Sequence, residues 1–123
     1  MSVLLVFLGG ALGAPARYLI DRAVQARSDV VFPFGTLVAN LTGAFLLGAL
    51  IAASRHVGLS REVVLAAGSG FCGALTTFST FSFETIRLLE DGSLVEAVLN
   101  TLTSLVVGIL VASAGYALLT LSV

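Results

Sequence analysis

The stretch Gly68–Ser82, GSGFCGALTTFSTFS, decides how this sequence folds. It lies inside a long apolar segment, yet it contains three glycines, and five of the seven residues from Thr76 to Ser82 carry a hydroxyl. Glycine lowers helix propensity, and Ser and Thr hydroxyls compete for backbone hydrogen bonds. We therefore predict a helix that is broken near its centre. The alternative is a continuous helix whose hydroxyls bond to carbonyls one turn earlier while its phenylalanines face lipid.

The composition around this stretch is that of a membrane protein. Of 123 residues, 58% are hydrophobic and 11% are charged, whereas soluble domains average about 25% charged residues. The net charge is −1 and there is no lysine, which argues against a nucleic-acid-binding surface. One membrane span needs about 20 apolar residues. The chain therefore has room for about four spans and not for a catalytic domain, so we do not expect an enzyme.

Apolar segments and charged turns predict an all-α integral membrane protein with one transmembrane domain over residues 1–123. The predicted spans are 3–22, 34–54, 62–89 and 94–121. The loops between them are short, so neighbouring helices run antiparallel. Two arginines lie on one side of the membrane and three or four on the other. Counted by the positive-inside rule, this gives only a weak orientation bias. Such a chain is able to insert in both orientations.

Other polar residues inside the spans leave alternatives open. Asn40 is either an amide that ties two helices together, beside small residues on its face, or a donor facing a pore. Asn100 and Ser104 are four residues apart and either line a polar track or join two helices. Glu84 is either a proton-coupling carboxylate or an interfacial, hydrated one. The Gly68-x-Gly70-x-x-Gly73 spacing formally matches a dinucleotide-binding fingerprint, but that motif requires a preceding strand.

Three blocks of sequence together resemble the bacterial fluoride channel family (Fluc, also called CrcB). They are Gly9–Tyr18, Pro33–Gly43 and Gly73–Glu84, and their order and spacing cover nearly the whole chain. The resemblance implies a dual-topology homodimer of two oppositely oriented subunits in the bacterial inner membrane. It also implies two fluoride pores and one structural sodium ion at the centre of the dimer.

Matching the motifs residue by residue gives each candidate a role. The resemblance implies that Phe78 and Phe81 line the pore and that Asn40 is the pore-lining amide. The backbone carbonyls of Gly73 and Thr76 are expected to hold sodium. Further pore candidates are the hydroxyls at the break, the hydroxyl of the fourth helix and the arginine at the end of the first: Ser79, Thr80, Ser104 and Arg17. Gly108 and Ala112 offer no hydroxyl where the polar track would continue.

The chemistry of these residues suits a small anion. Fluoride is strongly hydrated, so a pore must replace water with other donors. Aromatic rings have a positive edge, and an amide supplies N–H groups. Weak, sequential sites allow the ion to leave as well as to enter. A negative-inside potential would then drive fluoride out of the cell passively.

Two other classes of function remain as alternatives. A small dual-topology, proton-coupled multidrug exporter has the same size and number of spans. That class needs a membrane-embedded glutamate in its first span, and here no acidic residue precedes Asp21. The chain also lacks tryptophan for a cation pocket. A structural subunit without transport activity would not require the hydroxyl and phenylalanine pattern of Thr76–Ser82.

Overall fold

The computed structural model describes every residue from Met1 to Val123 and contains only helices and turns. Four segments are long and apolar enough to cross a membrane. The first two are α1 (Ser2–Gln25) and α2 (Phe34–His56), and the last is α6 (Leu94–Ser122). The third span, Arg61–Glu90, consists of α3 (Arg61–Val64), a π-helical segment (Leu65–Cys72), α4 (Gly73–Leu75) and α5 (Phe78–Glu90). The predictions of four spans and a broken third helix are confirmed.

Local sequence signals account for the ends of these helices. Helix α2 begins at Phe34, directly after Pro33, whose ring fixes φ and removes a backbone donor. The turns after α2 and α5 each contain a glycine in the left-handed region, Gly58 at φ 74° and Gly92 at φ 78°. Only glycine adopts this conformation without a steric penalty. Both turns therefore depend on having glycine at these two positions.

Glycines also bring the helix backbones into direct contact. A Cβ atom at Gly48 would overlap the backbone oxygen of Ala112, and one at Gly115 would overlap that of Phe45. Helices α2 and α6 therefore touch backbone to backbone at two levels. Helix α1 approaches the π-helical segment in the same way, through Gly9, Gly13 and Gly70. Small residues serve this purpose in membrane proteins because no hydrophobic force draws helices together in lipid.

The break in the third span consists of Thr76 and Thr77. Both residues are extended, with φ −85° and ψ 156° at Thr76 and φ −148° and ψ 122° at Thr77. The Thr77 hydroxyl then caps α5 by accepting a hydrogen bond from the Thr80 amide at 3.1 Å. Threonine is a favoured residue at this capping position. The hydroxyl-rich stretch therefore ends one helix and begins another.

Candidate functional site

One side of the break opens into a cavity between α2, α5 and α6, which we call the phenylalanine groove. Its volume is about 450 Å³. It brings together residues of three helices that are each predicted from the sequence to line a pore. The groove is lined by Asn40, Thr76, Thr77, Phe78, Phe81, Thr101, Ser104 and Leu105.

Two phenylalanines form one wall of the groove. Phe78 and Phe81 lie three residues apart at the start of α5, a spacing that places them on one face of the helix. Their ring centroids are 5.8 Å apart and their planes are tilted by 42°. Phe78 is 80% exposed in the single chain, whereas Phe81 is partly buried. Tilted rings can turn their positive edges towards an anion in the groove.

Asn40 links α2 to the break through both ends of its amide. Its Nδ2 donates a hydrogen bond to the Thr77 carbonyl at 3.1 Å, and the Thr77 amide donates to Asn40 Oδ1 at 2.7 Å. The side chain thus joins two helices and also lines the groove. Of the two interpretations left open by the sequence, the structure shows the amide that ties two segments together, and the donor facing a pore stays a prediction. One of the two N–H groups of the Asn40 amide remains for another acceptor.

Ser104 contributes a hydroxyl that nothing in the protein satisfies. Its Oγ is buried and has no hydrogen-bond partner, whereas several other hydroxyls in the spans bond to a carbonyl one turn earlier, as Thr101 does to Ala97. A buried hydroxyl without a partner is unfavourable, so this group is available to a ligand. Asn100 behaves differently. It is 2% exposed and donates to the Thr85 hydroxyl at 2.9 Å, which joins α6 to α5.

A second, smaller cavity shares Thr77 with the phenylalanine groove, and we call it the arginine pocket. Its volume is about 160 Å³. The structure places Arg17 and Thr80 here, apart from the phenylalanine groove. Ser79 lines neither cavity, although its hydroxyl lies 3.2 Å from that of Thr77. The arginine pocket is lined by Ala14, Arg17, Tyr18, Asp21, Thr36, Thr77 and Thr80.

Thr77, which was not among the residues predicted from the sequence, lines both cavities. This residue is 8% exposed. Its hydroxyl caps α5 and also bonds to the Thr80 hydroxyl at 3.1 Å. The preference of threonine for the position just before a helix was the signal that could have identified it.

The break leaves two backbone carbonyls without their usual helical donors. In a continuous helix the Thr77 amide would donate to the Gly73 carbonyl, but here it donates to Asn40. Likewise, the Thr80 amide donates to the Thr77 hydroxyl and not to the carbonyl of Thr76. Carbonyls at the C-terminal end of a helix carry partial negative charge. The oxygens of Gly73 and Thr76 therefore suit a hard cation such as sodium.

Glu84 is held by a hydrogen bond from α2. Its Oε1 accepts a hydrogen bond from the Thr36 hydroxyl at 2.9 Å, while its Oε2 is buried without a partner. It lines a third cavity, of about 370 Å³, together with Asp21 and Arg87 among others. The carboxylate is therefore partly enclosed by protein and lies on a different cavity from the phenylalanine groove.

Comparison with known proteins identifies the family. The family model described as "CrcB-like protein, Camphor Resistance (CrcB)" matches residues 4–116. This chain belongs to the CrcB family. The CrcB relatives include "Fluoride-specific ion channel FluC 1" of Nocardia farcinica, 56% identical over 104 residues, which cover 85% of this chain and 70% of the relative.

Relatives from other bacteria match over most of their length. "Fluoride-specific ion channel FluC 1" of Frankia casuarinae is 48% identical over 124 residues, covering 96% of this chain and 95% of the relative. "Fluoride-specific ion channel FluC" of Geobacter sulfurreducens is 47% identical over 104 residues, covering 84% of each chain. Together with the four spans, these relatives identify this CrcB protein as a multi-pass bacterial membrane protein.

Proposed function

We propose that this CrcB-family protein is a fluoride-selective channel through which toxic cytoplasmic fluoride leaves the cell by passive electrodiffusion. The phenylalanine groove supports this most directly. There the tilted pair Phe78 and Phe81 meets the amide of Asn40 and the unpartnered hydroxyl of Ser104. The names of the relatives, fluoride-specific ion channels, agree with this chemistry.

The lining of the groove explains how an anion would be held without being trapped. It contains hydrogen-bond donors and aromatic edges but no cationic side chain. A full positive charge would bind fluoride tightly, whereas donors and ring edges give several weak contacts in succession. The N-terminal end of α5, which begins at Phe78, adds a partial positive charge. These features favour a small anion that needs replacements for its water shell.

The shape of the protomer supports assembly of two copies. The groove is open along its side, and both Phe78 and Gly73 are exposed in the single chain. A second subunit in the opposite orientation would cover these surfaces, giving a homodimer with two pores in the lipid bilayer. The carbonyls of Gly73 and Thr76 from both subunits would then supply oxygens for one sodium ion. Bound there, sodium would hold the two subunits together.

Ion efflux from liposomes tests the proposed function. Vesicles containing the purified protein and loaded with potassium fluoride or potassium chloride are diluted into salt-free buffer with valinomycin. Rapid fluoride release with little chloride release is expected. Equal release of both anions, or release of neither, would contradict the proposal. Proton-gradient-driven uptake of a cationic dye would instead support the multidrug exporter.

The Ser104 hydroxyl gives a specific prediction. We expect Ser104→Ala to lower fluoride efflux about tenfold, because one donor in a buried setting contributes roughly that much to the rate. The matched control is Ser113→Ala on the same helix, whose exposed hydroxyl bonds to the Ile109 carbonyl at 2.8 Å. Efflux by that variant should be unchanged. Equal efflux by both variants would show that Ser104 does not contact the ion.

A further inference from the structure

We infer that Asn40 is a positioning residue that controls whether the Gly73 carbonyl is free to bind a cation. The inference rests on the proposed function, and it couples the anion groove to the cation site through one side chain. Asn40 lines the phenylalanine groove and at the same time occupies the amide of Thr77. If the Thr77 amide donates to Asn40, the third span is broken at Thr77. If it donates to the Gly73 carbonyl, the helix continues through Thr77.

The Thr77 amide has two competing acceptors. In a continuous helix it would donate to the Gly73 carbonyl, four residues earlier. In the structure it donates instead to Asn40 Oδ1, at 2.7 Å. A backbone amide inside a membrane must have a partner. If the Asn40 oxygen were removed, the Thr77 amide would donate to the Gly73 carbonyl, as it would in a regular helix.

The other half of the Asn40 amide opposes such a return to helix. Asn40 Nδ2 donates to the Thr77 carbonyl at 3.1 Å, so the whole Thr77 peptide unit is held in its extended conformation from α2. One turn along α2, Gly43 leaves room for the Thr76 side chain, because a Cβ atom there would overlap the Thr76 methyl group. Thr76 also bonds through its hydroxyl to the Cys72 carbonyl at 3.0 Å. One face of α2 therefore holds both residues of the break.

Two substitutions at position 40 separate the positioning role from contact with the anion. Asn40→Ala removes both hydrogen bonds to Thr77. Asn40→Asp loses the donor to the Thr77 carbonyl but keeps an oxygen that accepts from the Thr77 amide, which is the bond that frees the Gly73 carbonyl. Its negative charge repels an anion in the groove. We therefore expect both variants to lose fluoride efflux. Only Asn40→Ala should lose sodium affinity.

Sodium affinity is measured on the purified full-length protein in detergent, from the rise in its thermal unfolding midpoint. Sodium chloride is titrated against N-methyl-D-glucamine chloride at constant ionic strength. For Asn40→Ala the sodium concentration giving half the effect should rise at least about tenfold, since the carbonyl must first leave a hydrogen bond. For Asn40→Asp it should be equal to or below that of the wild type. The control Thr42→Val, which loses only a bond to the Val38 carbonyl on α2, should not change.

A second measurement observes the Thr77 amide itself. Residues 76 and 77 form the only Thr-Thr pair in the sequence. Protein labelled with carbonyl-¹³C threonine and ¹⁵N threonine therefore gives one HNCO peak, that of Thr77. We expect this peak to shift far more in Asn40→Ala than in Thr42→Val.

The outcomes distinguish this inference from the proposed function. A wild-type sodium midpoint in Asn40→Ala, or an unmoved Thr77 peak, would overturn the positioning role while leaving the fluoride channel intact. A wild-type protein that conducts fluoride but does not respond to sodium would overturn the cation site and this inference together. A wild-type protein that binds sodium but conducts no fluoride would contradict the channel alone.

Discussion

Phe81→Ile is expected to reduce fluoride efflux from liposomes at least about 100-fold, corresponding to about 2.7 kcal/mol in the barrier. Isoleucine is apolar and nearly as large, so the substitution leaves the wall of the groove filled. It removes the aromatic ring, whose positive edge is the feature that attracts an anion. Phe81 is partly buried against its neighbours, so its ring has a defined orientation beside Phe78.

The control for this prediction is Phe7→Ile. Phe7 is 69% exposed on α1 and lines neither the phenylalanine groove nor the arginine pocket. Efflux by this variant should remain within about twofold of the wild type, as expected for a surface substitution. Wild-type efflux by Phe81→Ile would show that the ring edge has no part in conduction. Comparable losses in both variants would indicate damage to the assembly and not to the pore.

The break in the third span was predictable because its chemistry is local. Glycines and hydroxyls within one short stretch weaken a helix through effects that extend only three or four residues along the chain. The same stretch holds the cap, Thr77, but capping preference alone left several neighbouring hydroxyls as candidates. The choice depends on Asn40, which lies on another helix and holds the Thr77 peptide unit. The identity of the cap is therefore a tertiary effect.

The residues of the phenylalanine groove could be predicted only in part, and their separation from the arginine pocket could not be predicted. Asn40, Phe81 and Ser104 come from three helices and meet in one groove, and the family resemblance was sufficient to select them. Arg17 lies in the separate arginine pocket. The separation depends on how α1 packs against the third span, which backbone contacts through glycine decide. Hydropathy along the chain carries no information about such contacts.

Gly48→Val is expected to have the largest effect on stability. A Cβ atom at Gly48 would overlap the backbone oxygen of Ala112, so α2 and α6 must separate to accept the new side chain. A flexible side chain could move aside, but a helix backbone could not. We expect the free energy of unfolding in detergent to fall by about 3 kcal/mol or more, the upper end for an overpacked core. The measurement is unfolding by chemical denaturant, followed by circular dichroism.

The control is Gly108→Ala, because a Cβ atom at Gly108 meets nothing within 4 Å. Gly48→Val and Gly108→Ala both add bulk to a glycine within a membrane helix, yet only Gly48→Val pushes two backbones apart. Gly108→Ala should leave stability unchanged or raise it, since alanine favours helix by about 1 kcal/mol over glycine. Equal stability of Gly48→Val and the wild type would mean that α2 and α6 do not touch there.

Ser104 lies on α6 and Asn40 on α2, so separation of these two helices would also widen the groove, and efflux should fall together with stability.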